Sequence, residues 1–105
     1  MRKAVSIEMD KIRNLRFGTN AISMAEDLLG RPITAIGTSV GIKDLRVLYY
    51  CGLYWEDKEL TLDDVGDLMD IVMEEQGTEY LGNKIAEAIQ QALPDPKKKA
   101  KKAEK

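Results

Sequence analysis

Four stretches of this chain carry apolar residues at helical spacing, and each is bounded by a glycine, a proline or a capping side chain. The clearest covers residues 61–77. Val65, Leu68, Met69, Val72 and Met73 recur at i, i+3, i+4, i+7 and i+8, which is the one-sided stripe of an amphipathic helix. Thr61 stands at the N-cap, and Asp64 three residues later gives a box-like arrangement with aspartate where glutamate is usual. Asp63, Asp67, Asp70 and Glu74 take the opposite face. The early aspartates also favour the positive end of the helix dipole. Gly77 closes the helix.

The other three stretches follow the same logic. A first helix is predicted from Asn20 to Leu29, with Thr19 as N-cap and Ala21, Met24, Ala25 and Leu28 as its stripe. Gly30 fits the position after its end, and Pro32 follows where a helix cannot continue. Ile33 to Gly37 reads as a turn or a single helical turn. A second helix is predicted from Val40 to Cys51, with Ser39 as N-cap and Gly52 as terminator. Ile42, Leu45, Leu48 and Tyr49 make its stripe, widened by Val47 and Tyr50, so this helix should be central. Thr78 opens a fourth helix, with Leu81, Ile85, Ala88, Ile89, Ala92 and Leu93 on one face, stopped by Pro94-Asp95-Pro96.

The N-terminal segment admits two readings. Val5, Ile7 and Met9 alternate, and so do Leu15 and Phe17, which predicts two short strands around a turn near Asp10-Lys11. Val5, Met9, Ile12 and Arg16 would also line up on a helix started by Ser6. The strand reading is preferred, and a lone hairpin must pack on the helices to persist. The expectation is therefore a mainly α protein: a small bundle of about four helices with a short N-terminal β-hairpin. Residues 1–93 form a single domain, and residues 94–105 a disordered, lysine-rich tail without the apolar side chains needed to offset ordering entropy.

Charge divides at the same boundary. Residues 94–105 carry six lysines against Asp95 and Glu104, whereas residues 1–93 hold ten basic and sixteen acidic side chains. An acidic body argues against a nucleic-acid surface, which needs basic groups to displace counterions. The lysine tail has no interleaved aromatics and reads as a solubilising end. No apolar run approaches the roughly 20 residues of a membrane helix, and Arg2 and Lys3 are followed by no apolar signal region. The chain is expected in the cytoplasm, with no membrane partner.

Chemistry for catalysis is sparse. There is no histidine and one cysteine. Cys51, among Tyr49, Tyr50 and Leu53, reads as a buried apolar residue rather than a nucleophile. Gly37 to Lys43 fails the phosphate-loop spacing. Asp57, Glu59, Thr61 and Asp63 have the rhythm of a calcium loop, but Leu62 stands where a glycine turn is needed. The carboxylates Asp63, Asp67, Asp70 and Glu74 read first as a solvated helix face and second as an acidic surface for a basic partner. No catalytic residue, metal ligand, cofactor or small-molecule substrate is expected. The aromatic group Tyr49, Tyr50, Tyr54 and Trp55 is the best candidate for recognition, because Tyr and Trp give large contact area at low entropic cost. The same residues would also suit a core.

Taken in order, the chain resembles the tail assembly chaperones of long-tailed phages and gene transfer agents. The similar features are Leu15-Arg16-Phe17-Gly18 leading to a helix ended by Leu29-Gly30, then Leu45-Arg46-Val47-Leu48-Tyr49-Tyr50 with Gly52-Leu53. After these come Leu60-Thr61 opening a helix with Val65-Gly66-Asp67-Leu68, and Glu87-Ala88-Ile89 before Ala92-Leu93. The likeness covers roughly residues 5 to 93 and contains no catalytic signature. It implies a non-enzymatic protein of the host-cell cytoplasm that binds and solubilises the tape measure protein while the tail tube polymerises, and that is missing from the finished virion. In many members of that family a programmed frameshift near the end of the gene makes a longer product, and Lys97-Lys98-Lys99, whose codons are A-rich, is the stretch here that a slippery site would use.

The expected mechanism is a helix laid into a groove. Tyr50, Leu53, Tyr54 and Trp55 are its expected lining, with Leu68, Met69 and Met73 beneath or beside it. Asp63, Asp67, Asp70 and Glu74 would meet basic residues of the partner. Two other classes stay open: a structural tail or head–tail completion protein, oligomeric and retained in the virion, and a small nucleic-acid-binding regulator. Self-association as a homo-oligomer is compatible with each, since a chain this short buries a modest core.

Overall fold

The computed structural model describes residues 4–33 and 41–92. The elements run β1 (Val5–Glu8), β2 (Ile12–Leu15), α1 (Thr19–Leu29), α2 (Ile42–Tyr54), α3 (Leu62–Gln76) and α4 (Thr78–Ala92). The chain is mainly helical, with an antiparallel N-terminal hairpin, and the strand reading of the first segment holds. The expected tail at 94–105, the phosphate-loop candidate up to Val40, and Leu93 lie outside the described residues.

The hairpin forms because its alternation is consistent on both strands. Val5 pairs with Leu15 and Ile7 with Arg13. Val5, Ile7, Met9, Leu15 and Phe17 all point into the core, which gives a two-stranded ribbon the packing it lacks alone. Ile12 faces outward, and Arg13 takes the inward place opposite Ile7.

α2 is the hub. It touches α1, α3, α4 and β2, and α4 closes over β1. Leu45, Val47, Leu48, Tyr49, Cys51, Gly52 and Leu53 are buried, so most of its circumference is core, as its composition predicts. Tyr49 is fully buried and satisfies its hydroxyl by donating to the Leu81 carbonyl of α4 at 2.7 Å. Burial pushes the Tyr49 hydroxyl well above its usual range and the Cys51 thiol up to about 12, because a charge in an apolar interior is costly.

Four local expectations are corrected. Gly52 does not end α2, which continues to Tyr54. A Cβ at Gly52 would lie 2.9 Å from Leu15 Cδ2 and 3.0 Å from two ring carbons of Phe17. The glycine is there for close approach of the hairpin, and the Arg16 N–H donates to its carbonyl at 3.0 Å. Thr19 lies inside α1; Gly18 holds the N-cap position without a side-chain hydrogen bond. The α1 stripe differs at one position: Ala25 is buried and Ala21 and Met24 pack on the core as expected, joined by Ile22 and Leu29, while Leu28 faces outward. α2 begins at Ile42, after Gly41, and Ile42 is 52% exposed.

The capping box at α3 is complete. The Asp64 N–H donates to Thr61 Oγ1 and the Thr61 N–H donates to Asp64 Oδ2, each at 3.1 Å. Gly77 joins α3 to α4 with a positive φ of 88°, a backbone conformation that favours glycine.

Candidate functional site: the α2–α3 cleft

One strip of α2 stays open. Ile42 is exposed, and Arg46, Tyr50 and Tyr54 follow it at four-residue steps, each only half-buried. Beside the first half of this strip lies an open cleft between α2 and α3, with a volume of about 620 Å³. Ile42, Met69 and Met73 supply its apolar surface, Lys43 and Arg46 its α2 wall, and Asp63, Asp67 and Asp70 its α3 wall.

The wall charges arise from helix periodicity. Asp63, Asp67 and Asp70 are spaced four and three residues apart, so they form one row along α3. Lys43 and Arg46, three apart, do the same on α2. Gly66 makes room between the walls: a Cβ there would meet Arg46 alone, Cδ at 3.5 Å and Nη1 at 3.9 Å, so the arginine stem rests on α3 backbone. Arg46 Nη1 reaches Asp63 Oδ1 at 4.0 Å, the limit of an ion pair, and the Asp63 side chain is 97% exposed. These charges face water and are largely unspent, since such a pair contributes about 0–1 kcal/mol.

The single groove expected from the sequence is divided. Met69, Met73, Asp63, Asp67 and Asp70 come together in the cleft. Glu74 is exposed one step beyond it. Tyr50 and Tyr54 continue the α2 strip past the cleft, with ring centroids 5.7 Å apart and planes tilted 50°, and Lys58 Nζ sits 5.7 Å from the Tyr54 ring. Leu53 and Leu68 do not reach the surface: both are buried in the core, because α2 and α3 need those positions to pack on their neighbours. Met69 is likewise buried, at 1% exposure, and lies beneath the cleft floor.

Trp55 stands elsewhere. It does not line the cleft; its Nε1 donates to the Asn14 carbonyl at 2.9 Å and the Arg16 guanidinium lies 5.1 Å over its ring. The residues after α2 thus hold the hairpin. The Asn14 N–H and Nδ2 donate to the two Glu56 carboxylate oxygens at 3.1 and 3.0 Å. Arg13, buried on the same inward row as Leu15 and Phe17, donates to both oxygens of Asp10 at 2.8 and 3.0 Å and to Asp57 at 3.3 Å. The Arg13 guanidinium holds the Asp10 carboxyl below the usual carboxylate range.

No protein-family model, curated protein or solved structure matches the chain. Among the described residues, no group of three His, Cys, Asp or Glu is placed to hold a metal, and no helix is long and apolar enough to cross a membrane.

Sequence reasoning missed Ile42, Lys43, Arg46 and Gly66 as cleft residues. The signal was the four-residue step from Ile42 through Arg46 and Tyr50 to Tyr54, which marks a face of α2 distinct from its core stripe. Arg13 was also missed, although the alternation that placed Leu15 and Phe17 inward reaches it two residues earlier.

Proposed function

We propose that this chain is a non-enzymatic tail assembly chaperone of a long-tailed phage or prophage, acting in the host-cell cytoplasm on the tape measure protein. The observation that carries the reading is the α2–α3 cleft: an apolar floor of Ile42 and Met73, with Met69 buried beneath it, between two charged walls. A tape measure protein is long, helical and aggregation-prone when its apolar faces are exposed. A cleft of this kind accepts the apolar face of an amphipathic helix. Methionine side chains adapt to many different surfaces, which suits a chaperone that must meet successive segments of one long partner. The acidic row on α3 would accelerate encounter with basic segments more than it would raise affinity. The resemblance of residues 5 to 93 to this family supplies the partner's identity.

The test is co-expression with the long helical protein encoded beside this gene, followed by pull-down and a solubility comparison. The expected result is a soluble complex that forms only with this chain. A neighbour equally soluble alone, with no complex, overturns the proposal. Recovery of the chain from purified virions would replace it with the structural completion reading.

A further inference from the structure

We propose that the α2–α3 cleft fixes the direction in which a bound helix runs. The inference rests on reading the cleft as a helix-binding groove, and it is independent of whether the natural partner is a tape measure protein.

The argument is one of symmetry. An amphipathic helix lying with its apolar stripe on Ile42 and Met73 presents one edge to each wall. A groove with walls of equal charge would accept that helix equally in either direction, because turning it end for end only exchanges its edges. This cleft has unlike walls: Asp63, Asp67 and Asp70 on α3, Lys43 and Arg46 on α2. For a helix with Lys or Arg along one edge and Asp or Glu along the other, one direction makes every edge pair attractive. The reverse direction makes every pair repulsive. The fitting ligand is therefore an amphipathic helix whose two polar edges carry opposite charge, and its own edge order dictates its direction.

The expected size follows from the number of pairs. Each exposed pair is weak, but reversal exchanges attraction for repulsion at several positions together. A preference of roughly tenfold between directions is expected at low ionic strength, falling toward none in concentrated salt.

The experiment uses the full chain and three synthetic 18-residue helical peptides with the same Leu/Met stripe. One carries Lys on one edge and Glu on the other, the second has the edges exchanged, and the third has Lys on both. Each bears a nitroxide at its N-terminus. NMR line broadening is then compared between the amides of Asp63 and Val65 at one end of α3 and those of Met73 and Glu74 at the other. These ends are about 15 Å apart at the rise of an α-helix. The expected result is broadening at one end for the first peptide, at the opposite end for the second, and at both for the third. In the variant Asp67→Asn with Asp70→Asn the preference should shrink several-fold. In Lys43→Glu, Arg46→Glu, Asp67→Lys, Asp70→Lys it should invert. Binding of the first two peptides with both ends equally broadened overturns the direction proposal and leaves the cleft a helix site. No binding by any peptide overturns both.

Discussion

Two regions of this protein use charge in opposite ways. Under the hairpin, Arg13 is buried and bonded to two carboxylates, Asn14 bonds to Glu56 and Trp55 of the segment that follows α2, and the Arg16 N–H donates to the Gly52 carbonyl inside α2. In the α2–α3 cleft, three aspartates and two cations line open walls, with one pair at the edge of ion-pair distance. The first arrangement holds the fold together, since a hydrogen-bonded charge that is removed leaves its partners poorly satisfied. The second contributes little to stability and leaves its charges available to a ligand. The same residue types therefore serve structure in one place and stay open to solvent in the other, and what separates them is whether their partners are inside the chain.

The contrast can be broken most severely at Gly52, inside α2. Gly52→Leu should destabilise by about 3 kcal/mol or more in urea unfolding, because the side chain overpacks against Leu15 and Phe17. A neutral result would restore Gly52 to the role of a mere helix end. Next in size is Arg13→Met, expected to cost about 1–3 kcal/mol at pH 7 through loss of charge-assisted bonds. Its cost should depend on acidity in one direction. The folded Asp10 carboxyl titrates below its unfolded value near 3.8. Its stabilisation is therefore present above that pH and is lost as pH falls through the folded pKa. The gap between wild type and Arg13→Met should accordingly narrow below about pH 4; a gap constant from pH 7 to 2.5 would remove Asp10 from the account.

The remaining two changes concern the cleft. Gly66→Ala should stabilise by about 0.5–1 kcal/mol in thermal unfolding, from helix propensity alone, since its Cβ makes ordinary contact with Arg46. Asp67→Asn with Asp70→Asn should move stability by less than about 0.5 kcal/mol, while slowing association with a basic amphipathic helix in stopped-flow at low salt. A large loss of stability would mean that these carboxylates belong to the fold after all.

What could be read from the sequence was what is decided within a few residues. The Thr61–Asp64 box, the α3 stripe, the strand alternation and Gly77 are local in cause, and they are found where expected. The errors came from contacts far apart in the chain. Gly52 carries the usual mark of a helix end, and only the approach of residues 15 and 17 shows why it sits inside one. Leu53 and Trp55 are neighbours of Tyr54 in sequence, yet helix rotation sends one to the core and the other to the hairpin. The acidic row and the two methionines were legible as a face of α3. The opposing cations were not, because which face of α2 meets α3 is decided by packing rather than by spacing.

The buried thiol of Cys51 has a practical consequence. It sits on the central helix, fully shielded, with its ionisation suppressed, so a thiol reagent can react only during moments when the core opens. The single cysteine of this chain is thus a native clock. Its labelling rate reports how often α2 comes loose, without any foreign probe attached. A ligand seated in the cleft would slow that clock in proportion to how tightly it braces α2.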